Sequence, residues 1–361
     1  VSLQDRIEQL VRPGIRALNA YHVPPASGMI KLDAMENPWP WPESLRAGWL
    51  ERLQGVELNR YPDPTARGLQ PVLRTAMDVP ESAAVVLGNG SDELIQMIIQ
   101  TLAVPGRTVL APEPTFVMYR QIACVAGMKF CAVPLLPDFA LDRATLLETV
   151  QREEPAVVFL AYPNNPTGNL FDAGVLRELL AQAPGLVVID EAYAPFTDAS
   201  FMGALPHYDN LLVLRTVSKL GLAGLRLGLL AGHPGWIEQI DKTRLPYNVG
   251  SLNQLTARFA LEHKDVFDTQ ARQIRTARRE LDAGLRGLPG LVVYPSAANF
   301  ILFRCPPGRA DALHAGLQQA GILIRNLHGS APALQDCLRV TVGQPQENAA
   351  FLRALEKLLP P

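Results

Sequence analysis

Leu211-Leu212-Val213-Leu214-Arg215-Thr216-Val217-Ser218-Lys219-Leu220-Gly221-Leu222-Ala223-Gly224-Leu225-Arg226-Leu227-Gly228 passes from an unbroken apolar run into a turn carrying Arg, Thr, Ser and Lys, then through glycines to a second arginine. Upstream, Leu186-Val187-Val188-Ile189-Asp190-Glu191-Ala192-Tyr193 repeats the pattern with an acidic end. Short apolar runs without polar alternation fit strands covered on both faces. Further runs stand at residues 84–87, 108–110, 129–133, 156–160 and 227–230, with helical segments alternating between them. The expectation is an α/β fold, with a large domain on a mostly parallel seven-stranded sheet, helices on both sides, and a smaller α/β domain.

After about residue 250 the rhythm changes. A long charged helix is expected over residues 252–285, then strands at 300–303 and 338–342 in a second sheet that a helix over 310–320 covers. The chain divides into an N-terminal arm and part of the small domain (1–45), a large ligand-binding domain (46–250) and a C-terminal small domain (251–361).

Composition narrows the function. A formal charge of −2, with the positive residues spread along the chain, leaves no basic field for nucleic acid. Residues 2–18 mix Asp5, Arg6, Glu8 and Arg12 with leucines and isoleucines, which reads as an amphipathic helix without the apolar core of a signal peptide. Residues 211–230 have about the length of a membrane span, but Arg215, Lys219 and Arg226 interrupt them. Cys124, Cys131, Cys305 and Cys337 have neither the close pairing nor the histidines of a metal site, so no metal is expected and the thiols read as reduced. The expectation is a cytoplasmic protein whose partners are small molecules.

Chemistry follows from the strand ends, where open α/β sheets bind ligands. Pyridoxal 5'-phosphate needs a lysine amine to hold its aldehyde, a carboxylate to keep its pyridine nitrogen protonated, and cations with hydroxyls for its phosphate. Lys219, Asp190, Ser218 and Arg226 supply these. Gly88-Asn89-Gly90-Ser91-Asp92-Glu93 follows a strand and opens a helix, where glycines admit an anion to the first-turn amides. Ser91-Asp92-Glu93 is also an ordinary helix start, and both uses coexist if the two carboxylates turn away from the anion. Phe116, just past the next strand, is placed to stack on a flat ring, with core packing as its competing use. Tyr162-Pro163-Asn164-Asn165-Pro166-Thr167-Gly168 is a rigid polar turn in which an Asn can hydrogen-bond a phenolate oxygen without carrying charge.

The set Asn-Asn-Pro-Thr-Gly, Asp-Glu-Ala-Tyr and Ser-Lys-x-x-Leu-Ala-Gly-Leu-Arg-x-Gly resembles the fold-type I aminotransferases over nearly the whole chain. Within them, Leu32-Asp33-Ala34-Met35-Glu36-Asn37-Pro38, Arg60-Tyr61-Pro62-Asp63-Pro64, Ser296-Ala297-Ala298-Asn299-Phe300 and Cys337-Leu338-Arg339-Val340-Thr341-Val342-Gly343 are similar to the histidinol-phosphate aminotransferase family. Met35 departs from that family's usual Asn, and the interval from Lys219 to Arg226 is one residue shorter than in some members.

The resemblance implies that Lys219 tethers pyridoxal 5'-phosphate and Asp190 pairs with its ring nitrogen. Asn165 and Tyr193 would hold the ring oxygen, Phe116 would stack on the ring, and Gly90, Ser91, Asp92, Glu93, Thr216, Ser218 and Arg226 would surround the phosphate. Tyr61 would reach the phosphate of a neighbouring subunit, making the site a property of a homodimer. Tyr21, Asn37, Asn165, Arg325 and Arg339 would bind substrate, with the arginines on its phosphate. The implied reaction converts histidinol phosphate and 2-oxoglutarate to imidazole acetol phosphate and glutamate in histidine biosynthesis. The alternative on the same fold is an aromatic-amino-acid aminotransferase or a threonine-phosphate decarboxylase-like enzyme.

Overall fold

Twelve strands organise the computed structural model, which describes residues 2–20 and 25–359. They are β1 (Ile30–Leu32), β2 (Ala84–Gly88), β3 (Thr108–Glu113), β4 (Lys129–Pro134), β5 (Val157–Ala161), β6 (Leu186–Asp190), β7 (Leu211–Thr216), β8 (Gly228–Gly232), β9 (Val292–Val293), β10 (Phe300–Arg304), β11 (Ile322–Asn326) and β12 (Cys337–Thr341). The apolar runs predicted between residues 84 and 230 pair into one seven-stranded sheet in the order β2-β8-β7-β6-β5-β3-β4. Every neighbouring pair is parallel except those made by β8, which runs antiparallel to β2 and β7.

The uniform hydrophobicity of these strands has a direct structural cause. Val158, Leu160, Val187, Ile189 and Val213 point into the core under one face. Their neighbours Val157, Phe159, Val188, Leu212 and Leu214 point into the core under the other. Both halves of the side-chain alternation are buried, so neither can be polar.

A second sheet has the order β1-β11-β12-β10-β9, with β1 parallel to β11 and the remaining pairs antiparallel. Its core joins Phe300, Phe303 and Val340 to Ile274 and Leu281 of the helix Lys264–Arg286, Leu313 and Leu317 of Ala310–Gln319, and Phe351 and Leu355 of Pro345–Leu358. The N-terminal arm thus contributes a strand to the smaller sheet.

Two helices differ from expectation. The charged helix over 252–285 is broken at His263 into Ser251–Glu262 and Lys264–Arg286. No Gly or Pro marks the break. The first piece buries Ala257, Phe259, Ala260 and Leu261 in the core of the large sheet, whereas the second, from Ala271 onward, packs on the small one. The amphipathic helix over 2–18 stops at Leu10 and restarts as Pro13–Arg16, because the residue before a proline is driven out of helical geometry. Among the described residues, no helix is long and apolar enough to cross a membrane.

Candidate active site

The carboxyl ends of β2, β5, β6 and β7 and the start of β8 lie along one edge of the large sheet, where Gly88 and Thr216 are both in register with Gly228. Asp190 is the last residue of β6 and is buried. Its Oδ2 accepts the Tyr119 hydroxyl at 2.7 Å, and its Oδ1 accepts the Ala192 N–H at 3.1 Å. Burial pushes its carboxyl group up to about 6, against the lowering effect of those two bonds.

Lys219 sits in the short turn Ser218–Leu220 immediately after β7. Burial, and then the Arg339 cation, hold its amine down to about 8. Nζ lies 3.4 Å from the Ala34 carbonyl oxygen and 5.7 Å from the centre of the Tyr193 ring. One site therefore holds a carboxylate made more basic and an amine made less so, the separation expected of acid–base machinery.

The anion cradle is built by close backbone approach. The helix Ser91–Leu102 starts after Gly90 at φ 84°, and a Cβ there would lie 2.7 Å from Arg226 Nη2. A Cβ on Gly228 would strike the Gly90 carbonyl carbon at 2.8 Å. Thr216 and Ser218 hydroxyls lie 2.8 Å apart beside this cradle, both buried. Glu93 turns away to accept the Asn89 N–H at 2.5 Å and Asn248 Nδ2 at 2.7 Å. Asp92 does not turn away: its Oδ2 takes Arg226 Nη2 at 3.1 Å. The helix-start and anion uses of this segment therefore compete at Asp92 and coexist at Glu93.

Across the site the two sheets meet. Arg339 in β12 donates through Nη1 to Asn165 Oδ1 at 2.5 Å and through Nη2 to the Asp33 carbonyl at 3.2 Å, with its guanidinium 5.0 Å from the Phe300 ring centre. Arg325 in β11 is in register with Arg339, half-buried, and makes no hydrogen bond or ion pair to another described residue. Residues 33–37 of the arm cross over the lysine. Met35, at φ 54°, donates its N–H to Thr341 Oγ1, accepts Asn299 Nδ2 at its carbonyl, and receives the Tyr193 hydroxyl at its sulfur at 3.3 Å. Asn37 donates to the Leu220 carbonyl at 3.1 Å and to Gln270 Oε1 at 2.8 Å, and accepts the Trp39 N–H at 2.9 Å. Its amide donors are engaged in holding the arm to the lysine turn and to Gln270 of the helix Lys264–Arg286.

One predicted position stands apart from this cluster. Tyr61 is 81% exposed and stacks on Tyr247 at 4.5 Å, on the outer surface. Tyr21 lies outside the described residues. Phe116 is half-buried and meets Tyr119 edge-on at 5.6 Å. Sequence reasoning missed Tyr119, whose only signal is a tyrosine three residues after Phe116 at the start of a helix whose other buried residues, Ile122 and Ala123, are apolar. The Asp33 and Ala34 carbonyls, being backbone, left no signal at all.

A pyridoxal phosphate fits this arrangement on the structure's own terms. A buried carboxylate that resists ionisation meets no cation among the described residues, a half-buried amine whose protonation is disfavoured is a nucleophile, and a glycine-cleared helix start faces two hydroxyls and an arginine.

The comparisons agree. The profile of the family described as aminotransferase class I and II matches residues 27–355. The chain is 54% identical over 353 residues to histidinol-phosphate aminotransferase 2 of Nitrosococcus oceani, covering 98% of each. It is 52% identical over 351 residues to the histidinol-phosphate aminotransferase of Chromobacterium violaceum, covering 97% of this chain and 98% of the relative. Its fold superposes on the crystal structure of histidinol-phosphate aminotransferase from Sinorhizobium meliloti in complex with pyridoxal-5'-phosphate with a TM-score of 0.83, at 24% identity and over 97% of both chains. Covered end to end by relatives of this kind and with the site just described at its sheet edge, the chain belongs to the class I and II aminotransferases, among the histidinol-phosphate aminotransferases.

Proposed function

We propose that the chain uses pyridoxal 5'-phosphate to transfer the amino group of histidinol phosphate to 2-oxoglutarate, in histidine biosynthesis. The observation that carries the substrate assignment is the register of Arg325 with Arg339 on neighbouring antiparallel strands. Like charges directly opposite one another destabilise a sheet, so this pair is organised for a dianion, and two guanidinium forks suit a phosphate. Arg339 also suits the carboxylate of glutamate in the second half-reaction.

When bound, the cofactor supplies an aldehyde and a protonated ring that stabilises negative charge at the substrate carbon. The chain's own groups do the rest. Asp190 holds the ring nitrogen, Asn165 and Tyr193 the ring oxygen, and Phe116 the ring face. Gly90, Ser91, Asp92, Glu93, Thr216, Ser218 and Arg226 surround the phosphate, Asp92 serving to orient Arg226. Lys219 Nζ would hold the cofactor's aldehyde and would move the proton at the reacting substrate carbon. Asn37 acts on the substrate by fixing the arm above Lys219, and Tyr21 is assigned to the substrate by the family resemblance alone.

In this division of labour 46–250 holds the cofactor and 1–45 and 251–361 supply substrate contacts, with the helix Ser251–Glu262 packed in the core of the large sheet. A homodimer is supported by the exposed Tyr61–Tyr247 stack, an aromatic platform of the kind that interfaces use. Four free cysteines fit the reducing cytoplasm. The test is a set of half-reactions, in which holoenzyme is mixed in turn with histidinol phosphate, glutamate, phenylalanine and threonine phosphate while the cofactor spectrum is followed. Conversion by histidinol phosphate and glutamate supports the assignment, whereas conversion by phenylalanine alone assigns an aromatic specificity. Carbon dioxide release from threonine phosphate assigns a decarboxylase.

A further inference from the structure

Tyr119 belongs to none of the segments that carry the aminotransferase resemblance, yet it makes the shortest contact to Asp190. The helix Met118–Ala126 turns it inward, where it is fully buried. Its ring stacks on Phe159, with 4.8 Å between centroids and 14° between planes, and meets Phe116 edge-on at 5.6 Å and 85°. Held between these two rings, the phenol has one direction for its hydroxyl, and that direction ends on Asp190 Oδ2 at 2.7 Å. Burial, and then the charge of Asp190, push the phenol well above its ordinary range, so it remains a donor throughout the working pH range.

A proton shared between Asp190 and a pyridine nitrogen has two resting places. A carboxylate that accepts a hydrogen bond from a phenol is a weaker base than one that does not, because the bond favours the ionised form. Removing the bond draws the proton onto the carboxyl group and leaves the ring nitrogen neutral, the form that stabilises negative charge poorly. A short hydrogen bond in a buried site is strengthened by the low local dielectric.

We propose that Tyr119 is a positioning residue for transamination, which, by donating to Asp190, keeps the shared proton on the cofactor's ring nitrogen. The inference rests on the assignment of Asp190 to that nitrogen. A residue that only filled space would be replaced by phenylalanine without electronic consequence, since the stacked ring survives and only the hydroxyl is lost.

The experiment uses holoenzyme reconstituted with pyridoxal phosphate carrying nitrogen-15 in the ring, whose chemical shift reports protonation without turnover. The wild type should show a protonated nitrogen, and Tyr119→Phe a shift toward the neutral form. The cofactor dissociation constant should rise about ten- to a hundredfold in that variant, the worth of a hydrogen bond to a charged group. Phe159→Leu loosens the same stack without touching the hydroxyl, so it should lower the melting temperature and leave the nitrogen signal in place. Asp190→Asn should give a neutral nitrogen. An unchanged signal in Tyr119→Phe beside a neutral one in Asp190→Asn overturns the role of Tyr119 while the Asp190 assignment stands. Equal displacement of the signal in Phe159→Leu overturns it in favour of packing. A protonated nitrogen in Asp190→Asn overturns the assignment of Asp190 itself.

Discussion

Replacing Asp190 with Asn should make the cofactor-free protein more stable as pH rises, relative to wild type. Burial lifts the Asp190 carboxyl from 3.8 to about 6. At ~1.4 kcal/mol per tenfold change in ionisation, keeping this carboxylate ionised in the folded state costs about 3 kcal/mol. The folded value lies above the unfolded one, so the stability the group contributes is complete below about pH 4 and lost as pH rises through about 6. The variant has no such loss. It has a constant one instead, because a neutral amide cannot accept from both the Tyr119 hydroxyl and the Ala192 N–H. One orphaned donor costs roughly 1–3 kcal/mol at every pH. The difference between variant and wild type should therefore move in the variant's favour by about 3 kcal/mol in all, about 2 kcal/mol of it between pH ~4.5 and 8. Urea unfolding of the stripped proteins at several pH values measures this, with every other titrating group cancelling in the comparison. A difference flat in pH refutes the reasoning. Adding pyridoxal phosphate should then favour wild type, since the ligand stabilises the form that binds it.

Recapture of pyridoxal phosphate by the stripped enzyme requires a neutral Lys219, whose amine sits at about 8. Its rate should rise with pH through that value and level off above it, and Arg339→Gln should move the midpoint upward; rapid-mixing absorbance checks both. Arg325→Ala should raise the Michaelis constant for histidinol phosphate by about one to two powers of ten and that for glutamate far less, the loss of one charge-assisted contact. Equal increases for both donors would instead mark a shared carboxylate site. Mixing Tyr61→Phe chains with Lys219→Ala chains should restore activity, because a heterodimer gathers both defects in one site and leaves the other whole. Sedimentation as a strict monomer would exclude this.

The large sheet was legible because burial on both faces erases alternation, leaving runs such as 186–189 and 211–214 with a single interpretation. Asp190 and Lys219 were legible for the opposite reason: charge at the end of such a run is expensive unless a ligand needs it. The break at His263 was not legible. Its cause is that Phe259 and Ile274 belong to different cores, a fact about tertiary placement that no local residue encodes. The engagement of Asn37 was hidden for the same reason, since its partners Leu220 and Gln270 lie far along the chain. Tyr119 was hidden by company, one polar atom on a helix whose remaining inward residues are apolar. The course of residues 33–37 over the lysine is recorded mainly in carbonyl contacts, which side-chain patterns cannot show.

These observations converge on how the site is kept reactive. Asp190 and Lys219 are both charged in water at neutral pH, and the fold makes that charge unfavourable in each, raising one and lowering the other. The first effect comes from burial at the end of β6, the second from burial reinforced by Arg339. They cannot relieve one another as an ion pair would, because Asp190 is engaged by Tyr119 and Ala192 while Lys219 faces the Ala34 carbonyl and the Tyr193 ring. A ligand that offers a cation to the first and consumes the second as a neutral amine relieves both at once. Destabilisation built into the fold is thereby returned as affinity for the cofactor, and Arg339, which lowers the Lys219 amine, is the same residue to which the proposed function gives the substrate's anion. Once a phosphate or carboxylate neutralises that guanidinium, its hold on the lysine weakens. Nζ would then become a stronger base at the stage when the proposed function has it take the proton from the substrate carbon.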